Sequence, residues 1–127
     1  MTKDNLQQTY NSYLGAYSDI EPTERERLLR QSVTDDIISV SPDGESRGFG
    51  NLVEHIEQFQ KQKPGAYFMS NKLIAHRDQF LSEWTMFSKD GSPAATAHTY
   101  GRFNEQGLLT YLIGFFEPVG QASAGKP

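Results

Sequence analysis

Residues 79–117, QFLSEWTMFSKDGSPAATAHTYGRFNEQGLLTYLIGFFE, divide into three strand-length runs: Gln79–Ser88, Ala94–Phe103 and Leu108–Glu117. Between them lie a Lys89-Asp90-Gly91 turn and an Asn104-Glu105-Gln106-Gly107 turn. Connections this short force neighbouring strands to pair antiparallel, because a parallel pair needs a crossover of a dozen or more residues. A curved meander of this kind, with helices ahead of it, is a scaffold for a small-molecule pocket.

Working outward, a first helix is expected from about Asp4 to Ser18, opened by an Asp4/Gln7 capping box. Leu6, Tyr10, Tyr13, Leu14 and Tyr17 then share one helical face. A second helix follows Pro22, with Thr23/Glu26 as its capping box and Leu28, Leu29 and Val33 as its buried side. Asp35-Asp36 leads into a short strand, Ile37–Ser41, and Pro42 to Gly50 reads as a turn-rich loop. A third helix starts near Asn51, with Glu54 completing a capping box and Leu52, Ile56 and Phe59 forming its apolar stripe. Lys63-Pro64-Gly65 stops it. Ala66–His76 is a long strand that turns at Arg77-Asp78 into the meander. Residues 1–117 are expected to form one domain and 118–127 a disordered tail. The order α-α-β-α-β-β-β-β indicates an α+β layer fold, with helices gathered ahead of one mostly antiparallel sheet. To wrap those helices the sheet must curve strongly, and Gly101 and Gly114 are candidate bends.

Sixteen acidic against twelve basic residues leave a net charge of −4, which disfavours nucleic acid as a partner because phosphate binding needs a basic stripe. The densest basic cluster, Arg25, Arg27 and Arg30, alternates with Glu24 and Glu26 and reads as a solvated helix face. No apolar run reaches membrane-spanning length, and Met1-Thr2-Lys3-Asp4-Asn5 does not open a signal peptide. The absence of cysteine excludes disulfides and thiolate chemistry. A cytoplasmic location without membrane contact is the expectation.

Alternate residues of a strand face opposite ways. In the last strand both faces are apolar: Leu108, Thr110, Leu112, Gly114 and Phe116 on one, Leu109, Tyr111, Ile113 and Phe115 on the other. The second face needs a cover, either this chain's own loops or, as expected here, a second copy in a homodimer. In the strand before it, Ala95, Ala97, Thr99, Gly101 and Phe103 are mostly small and suit a concave side with a cavity. Thr96, His98, Tyr100 and Arg102 suit the convex side. A single bulge would invert that assignment.

The order of elements, together with particular residues, resembles the nuclear transport factor 2-like superfamily, in its SnoaL-like polyketide cyclase and ketosteroid isomerase branch. The residues are the helix-1 tyrosines, Val33-Thr34-Asp35-Asp36, Ser41-Pro42, Arg47-Gly48, Lys63-Pro64-Gly65, Trp84 and Gly101-Arg102-Phe103-Asn104-Glu105-Gln106-Gly107. The resemblance implies a cone-shaped sheet closed by helices, a pocket inside the cone and frequent dimers through the sheet. In the isomerases it implies an Asp base just before a Pro, with a tyrosine and a protonated Asp forming the oxyanion hole. Here Ser41 precedes Pro42, and Thr99 stands four residues before Phe103 where both branches commonly carry Asp. Only the helix-1 tyrosine, Tyr10 or Tyr13, matches.

The candidate catalytic residues are therefore Tyr13, polarising a carbonyl, and His98, which could act as general base if it faces inward and is an interface or surface histidine if it faces out. His55 and His76 read as solvated. The three histidines lack metal-ligand spacing, so neither a metal nor a cofactor is expected. The candidate ligand-binding residues are Tyr10, Tyr17, Ser41, Phe59, Trp84, Met86, Thr99, Phe103, Leu112 and Phe116. The tyrosines could equally be ordinary core aromatics, and Trp84 plain core packing. The ligand class is an apolar or aromatic small molecule. Either a cofactor-free isomerase, cyclase or dehydratase, or a non-catalytic binding module, fits these residues.

Overall fold

In the computed structural model, which describes residues 3–116 with side chains from residue 5 onward, the last four strands are the meander read from the sequence. The elements are α1 (Lys3–Gly15), α2 (Pro22–Ser32), β1 (Val33–Ser41), β2 (Gly44–Arg47), α3 (Phe49–Gln62), β3 (Tyr67–His76), β4 (Gln79–Phe87), β5 (Pro93–Phe103) and β6 (Leu109–Phe115). They build one six-stranded sheet in the order β2-β1-β6-β5-β4-β3. Neighbouring strands are antiparallel except β1 and β6, which run parallel with Ser39 beside Leu112. The sheet does not close; α1 and α3 pack on its concave face, α1 chiefly against β3 and α3 against β1.

Several local expectations are corrected. The stretch from Pro42 to Gly50 is not simply a loop: Ser41 pairs with Gly44 across a two-residue turn, and β2 returns along β1. Gly44 sits at φ +148°, and the Asp43 N–H donates to the Ser41 hydroxyl at 3.2 Å, which together make that turn. Neither Thr23/Glu26 nor Asn51/Glu54 forms a capping box. Pro22 is itself the first helical residue of α2, where its missing N–H costs nothing, so Glu21 becomes the N-cap and Thr23 falls inside the helix. Gly48 is the N-cap of α3, and Asn51 instead donates back to the Arg47 carbonyl at 2.9 Å. The Asp4 box and the tail at 118–127 lie outside the described side chains and residues.

The basic cluster on α2 also divides. Arg27 and Arg30 are exposed and pair with Glu24 and with Asp35, but Arg25 is 5% exposed and turns inward. Charge alternation alone could not distinguish it, because Arg25 is held by carbonyls of the turn that follows α1.

The core lies between the concave face and the helices. Leu6, Tyr10, Tyr13, Leu14 and Tyr17 are all buried, as their spacing requires. At one end of the sheet the core is solid. Phe80 lies flat over Gly101, where an added Cβ would come within 2.3 Å of the ring, and Phe103 packs beside Phe80 with centroids 6.5 Å apart. Leu109 is fully buried there, which corrects its assignment to the outer face. Arg102 pairs with Tyr111 but Phe103 with Leu109, so Thr110 is an extra residue in β6. That bulge flips the phase of everything before it. Beyond the bulge the outer assignment holds: Tyr111, Ile113 and Phe115 stand opposite Arg102, Tyr100 and His98 on the convex side.

Candidate functional site

At the other end the sheet is hollow. Where β1, β4 and β6 finish and β3 and β5 begin, a cavity of about 1190 Å³ opens between the sheet, α1 and α3. It is somewhat larger than most small-molecule pockets. Its small-residue wall is β5, where Ala95 and Ala97 leave the space that large side chains would fill. Its aromatic wall is built from edge-to-face pairs. Phe68 meets Trp84 at 5.1 Å and Tyr17 at 5.3 Å, Tyr17 meets Phe59 at 5.6 Å, and Trp84 meets Phe116 at 5.9 Å.

Polar atoms inside this wall are hydroxyls and one indole N–H. Ser82 donates to the Tyr10 hydroxyl at 2.6 Å. The Trp84 Nε1–H donates to Thr99 at 2.9 Å. The Tyr13 and Tyr17 hydroxyls lie 3.0 Å apart. Burial raises all three phenols above their ordinary range. It pushes Tyr17 to about 12, and Tyr13 is driven further up by the neighbouring Tyr17 phenol. All three are therefore neutral near pH 7. They offer hydrogen bonds to an oxygen atom and are poor proton acceptors.

Charged and titratable side chains stand at the rim. His55, Gln58, Phe59 and Gln62 line the cavity from α3, with Lys63 beside them and Asp43 across from them on the β1–β2 turn. His55 and Asp43 are exposed. Among the described residues no cluster of His, Asp and Glu could hold a metal ion, and no helix is long and apolar enough to cross a membrane.

Of the residues singled out from the sequence, Tyr10, Tyr13, Tyr17, Ser41, Phe59, Trp84, Met86, Thr99, Leu112 and Phe116 are brought together around this cavity. Phe103 is not; it lies at the last position of β5, in the solid end against Phe80. His98 borders the cavity, but it alternates with the buried Ala97 and Thr99. Its imidazole therefore sits on the convex face, with Nε2 3.8 Å from Glu83 Oε1 and both side chains about half exposed. Ser39, Phe68 and, on α3, His55, Gln58 and Gln62 went unselected in the sequence. Ser39 is two residues before Ser41 on the same strand face, so period two would have found it. The stripe 55, 58, 59, 62 follows helical spacing. Phe68 stands in β3, whose alternation the sequence reading did not take up and which a bulge at Asn71, shifting the register between Ser70 and Lys72, interrupts.

No protein-family model and no curated protein matches the chain. Solved structures do. A SnoaL-like family protein from Agrobacterium tumefaciens, described as a candidate isomerase, superposes with a TM-score of 0.81 at 21% identity, over 91% of this chain and 99% of that one. A SnoaL-like protein of unknown function from Burkholderia thailandensis gives 0.70 at 13% identity, over 93% and 99%. A candidate polyketide cyclase from Sinorhizobium meliloti gives 0.68 at 14% identity, over 85% and 94%. At these identities the likeness is one of architecture. Three helices packed with an open, six-stranded mixed sheet that is hollow at one end make the cone fold of these SnoaL-like structures, and that is the fold of this chain.

Proposed function

We propose that this protein binds a neutral, largely aromatic small molecule inside the cone and recognises a carbonyl or phenol oxygen on it through the Tyr13–Tyr17 hydroxyl pair. The observation that carries this reading is the hydrogen inventory of the pair. Two phenols held neutral by burial share one hydrogen bond at 3.0 Å, so of their two hydrogens one is left to donate. The aromatic wall supplies the apolar burial, and the absence of charge around the phenols favours a ligand whose inserted part is uncharged.

A thermal-shift screen of neutral phenols and aryl ketones against their hydrocarbon counterparts tests this. The oxygenated members should raise Tm more than the hydrocarbons. A ranking that follows apolar area alone would rule out oxygen recognition.

A catalytic reading is favoured by one observation, the Tyr13 hydroxyl facing a cavity that also carries titratable groups at its rim. In a cofactor-free isomerisation, cyclisation or dehydration Tyr13 would polarise the carbonyl. His55 at the rim is better placed to carry the proton than His98, whose imidazole is on the far side of the sheet. Turnover of any ligand found by the screen, abolished in Tyr13→Phe, would establish this reading; binding without turnover would leave the module non-catalytic.

A second copy of the chain is the proposed cover for the convex face. Met69, Ile74, Leu81 and Phe115 are each 45–57% exposed there, and a face this apolar is unfavourable in water.

A further inference from the structure

Helix α1 ends at Gly15, yet Tyr17, the residue that holds the Tyr13 hydroxyl, lies two positions beyond it. The backbone there is a turn rather than a helix: its N–H groups satisfy the last carbonyls of α1, and its own carbonyls need partners from elsewhere. All three consecutive carbonyls are nevertheless taken. The Arg25 Nε donates to the Ala16 carbonyl at 2.9 Å, and its Nη2 donates to the Ser18 carbonyl at 2.8 Å. The Gln60 Nε2 donates to the Tyr17 carbonyl between them at 2.7 Å. Gln60 is itself fixed at both ends, for it also donates to the Ala66 carbonyl at 2.8 Å and accepts from the Gly65 N–H at 3.0 Å.

Arg25 is the single buried charged side chain among the described residues. Helix caps need no such residue: glycine, water or an exposed lysine serves as well. Burying a guanidinium is costly unless its donors are matched, and a planar fork that reaches two carbonyls two residues apart restricts the backbone between them. We infer that Arg25 and Gln60 are positioning residues for the ligand site. They lock the Tyr17 main chain between α2 and α3, so that the Tyr17 hydroxyl meets Tyr13 and aims the remaining hydrogen of the pair into the cavity. Neither residue touches the ligand; both act through Tyr17. This inference rests on the proposed recognition of a ligand oxygen.

The test uses two probes of matched shape, 2-naphthol and 2-methylnaphthalene, titrated against Trp84 fluorescence, since Trp84 is the only tryptophan and lines the cavity. A cavity that reads apolar area alone binds the methyl compound more tightly. The wild type should instead prefer the naphthol by about fivefold, the size of one net hydrogen bond. Arg25→Lys, which keeps the charge but not the two-carbonyl fork, and Gln60→Met, which keeps the length, should each erase that preference while leaving methylnaphthalene affinity within about twofold. A merely structural role predicts that both probes weaken in parallel, and that outcome, or an undiminished preference in both variants, overturns the inference. If Arg25→Lys does not fold, Gln60→Met decides alone. A wild type with no preference for the naphthol fails at the earlier step, and the recognition reading falls together with the positioning one.

Discussion

The Trp84 indole N–H donates to the Thr99 hydroxyl of the neighbouring strand at 2.9 Å, and both residues are more than nine-tenths buried. Thr99→Val keeps the shape and removes the hydroxyl, leaving a buried N–H without an acceptor. A loss of about 1–3 kcal/mol of stability is expected, with a shift of the Trp84 emission maximum. Denaturant melts and emission spectra indistinguishable from wild type would show that the bond contributes nothing.

Tyr13 is the cavity's proposed donor. Tyr13→Phe should cost roughly five- to tenfold in 2-naphthol affinity, about 1–1.5 kcal/mol for one net hydrogen bond, and should spare 2-methylnaphthalene. Calorimetric titration checks it. Equal losses for both compounds would mean that the ring and not the hydroxyl matters.

Phe80 occupies the space a side chain at position 101 would need. Gly101→Ala should destabilise the fold by about 1–3 kcal/mol, the usual cost of overpacking a core. The hollow end, built from other residues, should keep its ligand affinity under native conditions. Thermal denaturation together with a binding titration separates the two effects. A variant as stable as wild type would mean that the solid end yields easily.

Phe115 is 57% exposed on the convex face, opposite His98 in the register. If a second copy covers this face, light scattering should return twice the 14.3 kDa chain mass for the wild type. Phe115→Glu should return the monomer mass, because an unpaired carboxylate in an apolar contact is costly. A wild type that stays monomeric at high concentration would remove self-association from the account.

Burial raises the Tyr17 phenol from 10 to about 12. The unfolded chain then releases its proton first as pH rises. The stabilisation is complete below pH 10 and is lost between pH 10 and about 12. Each such phenol adds a slope of at most about 1.4 kcal/mol per pH unit in that window. Tyr17→Phe should flatten the alkaline part of the stability curve by that amount while leaving its neutral-to-mildly alkaline part level. An identical slope in wild type and variant would show that Tyr17 ionises as freely in the fold as outside it.

Much of the architecture was legible because it is local or periodic. The short turns near Asp90 and Gly107 dictated the antiparallel meander, and the helical spacing of Leu6, Tyr10, Tyr13, Leu14 and Tyr17 dictated which face of α1 is buried. The alternation in β5 was enough to turn Thr99 inward and His98 outward. Alternation failed where a bulge intervened, at Thr110, which reversed Leu109. A bulge is decided by the partner strand, and one strand's own letters carry no mark of it.

By itself the sequence determined every element except β2, the small residues that keep the cone hollow, and the tyrosines that face into it. It could do so because period and turn chemistry act over a few neighbouring residues. Only the tertiary structure decided that β1 joins β6 in parallel, that Arg25 leaves its charged neighbours to hold the carbonyls of Ala16 and Ser18, and that Tyr13 and Tyr17 share one hydrogen bond. Each of these joins groups from different elements or fixes a side-chain direction, and distance and angle between such groups exist only once the chain has closed on itself.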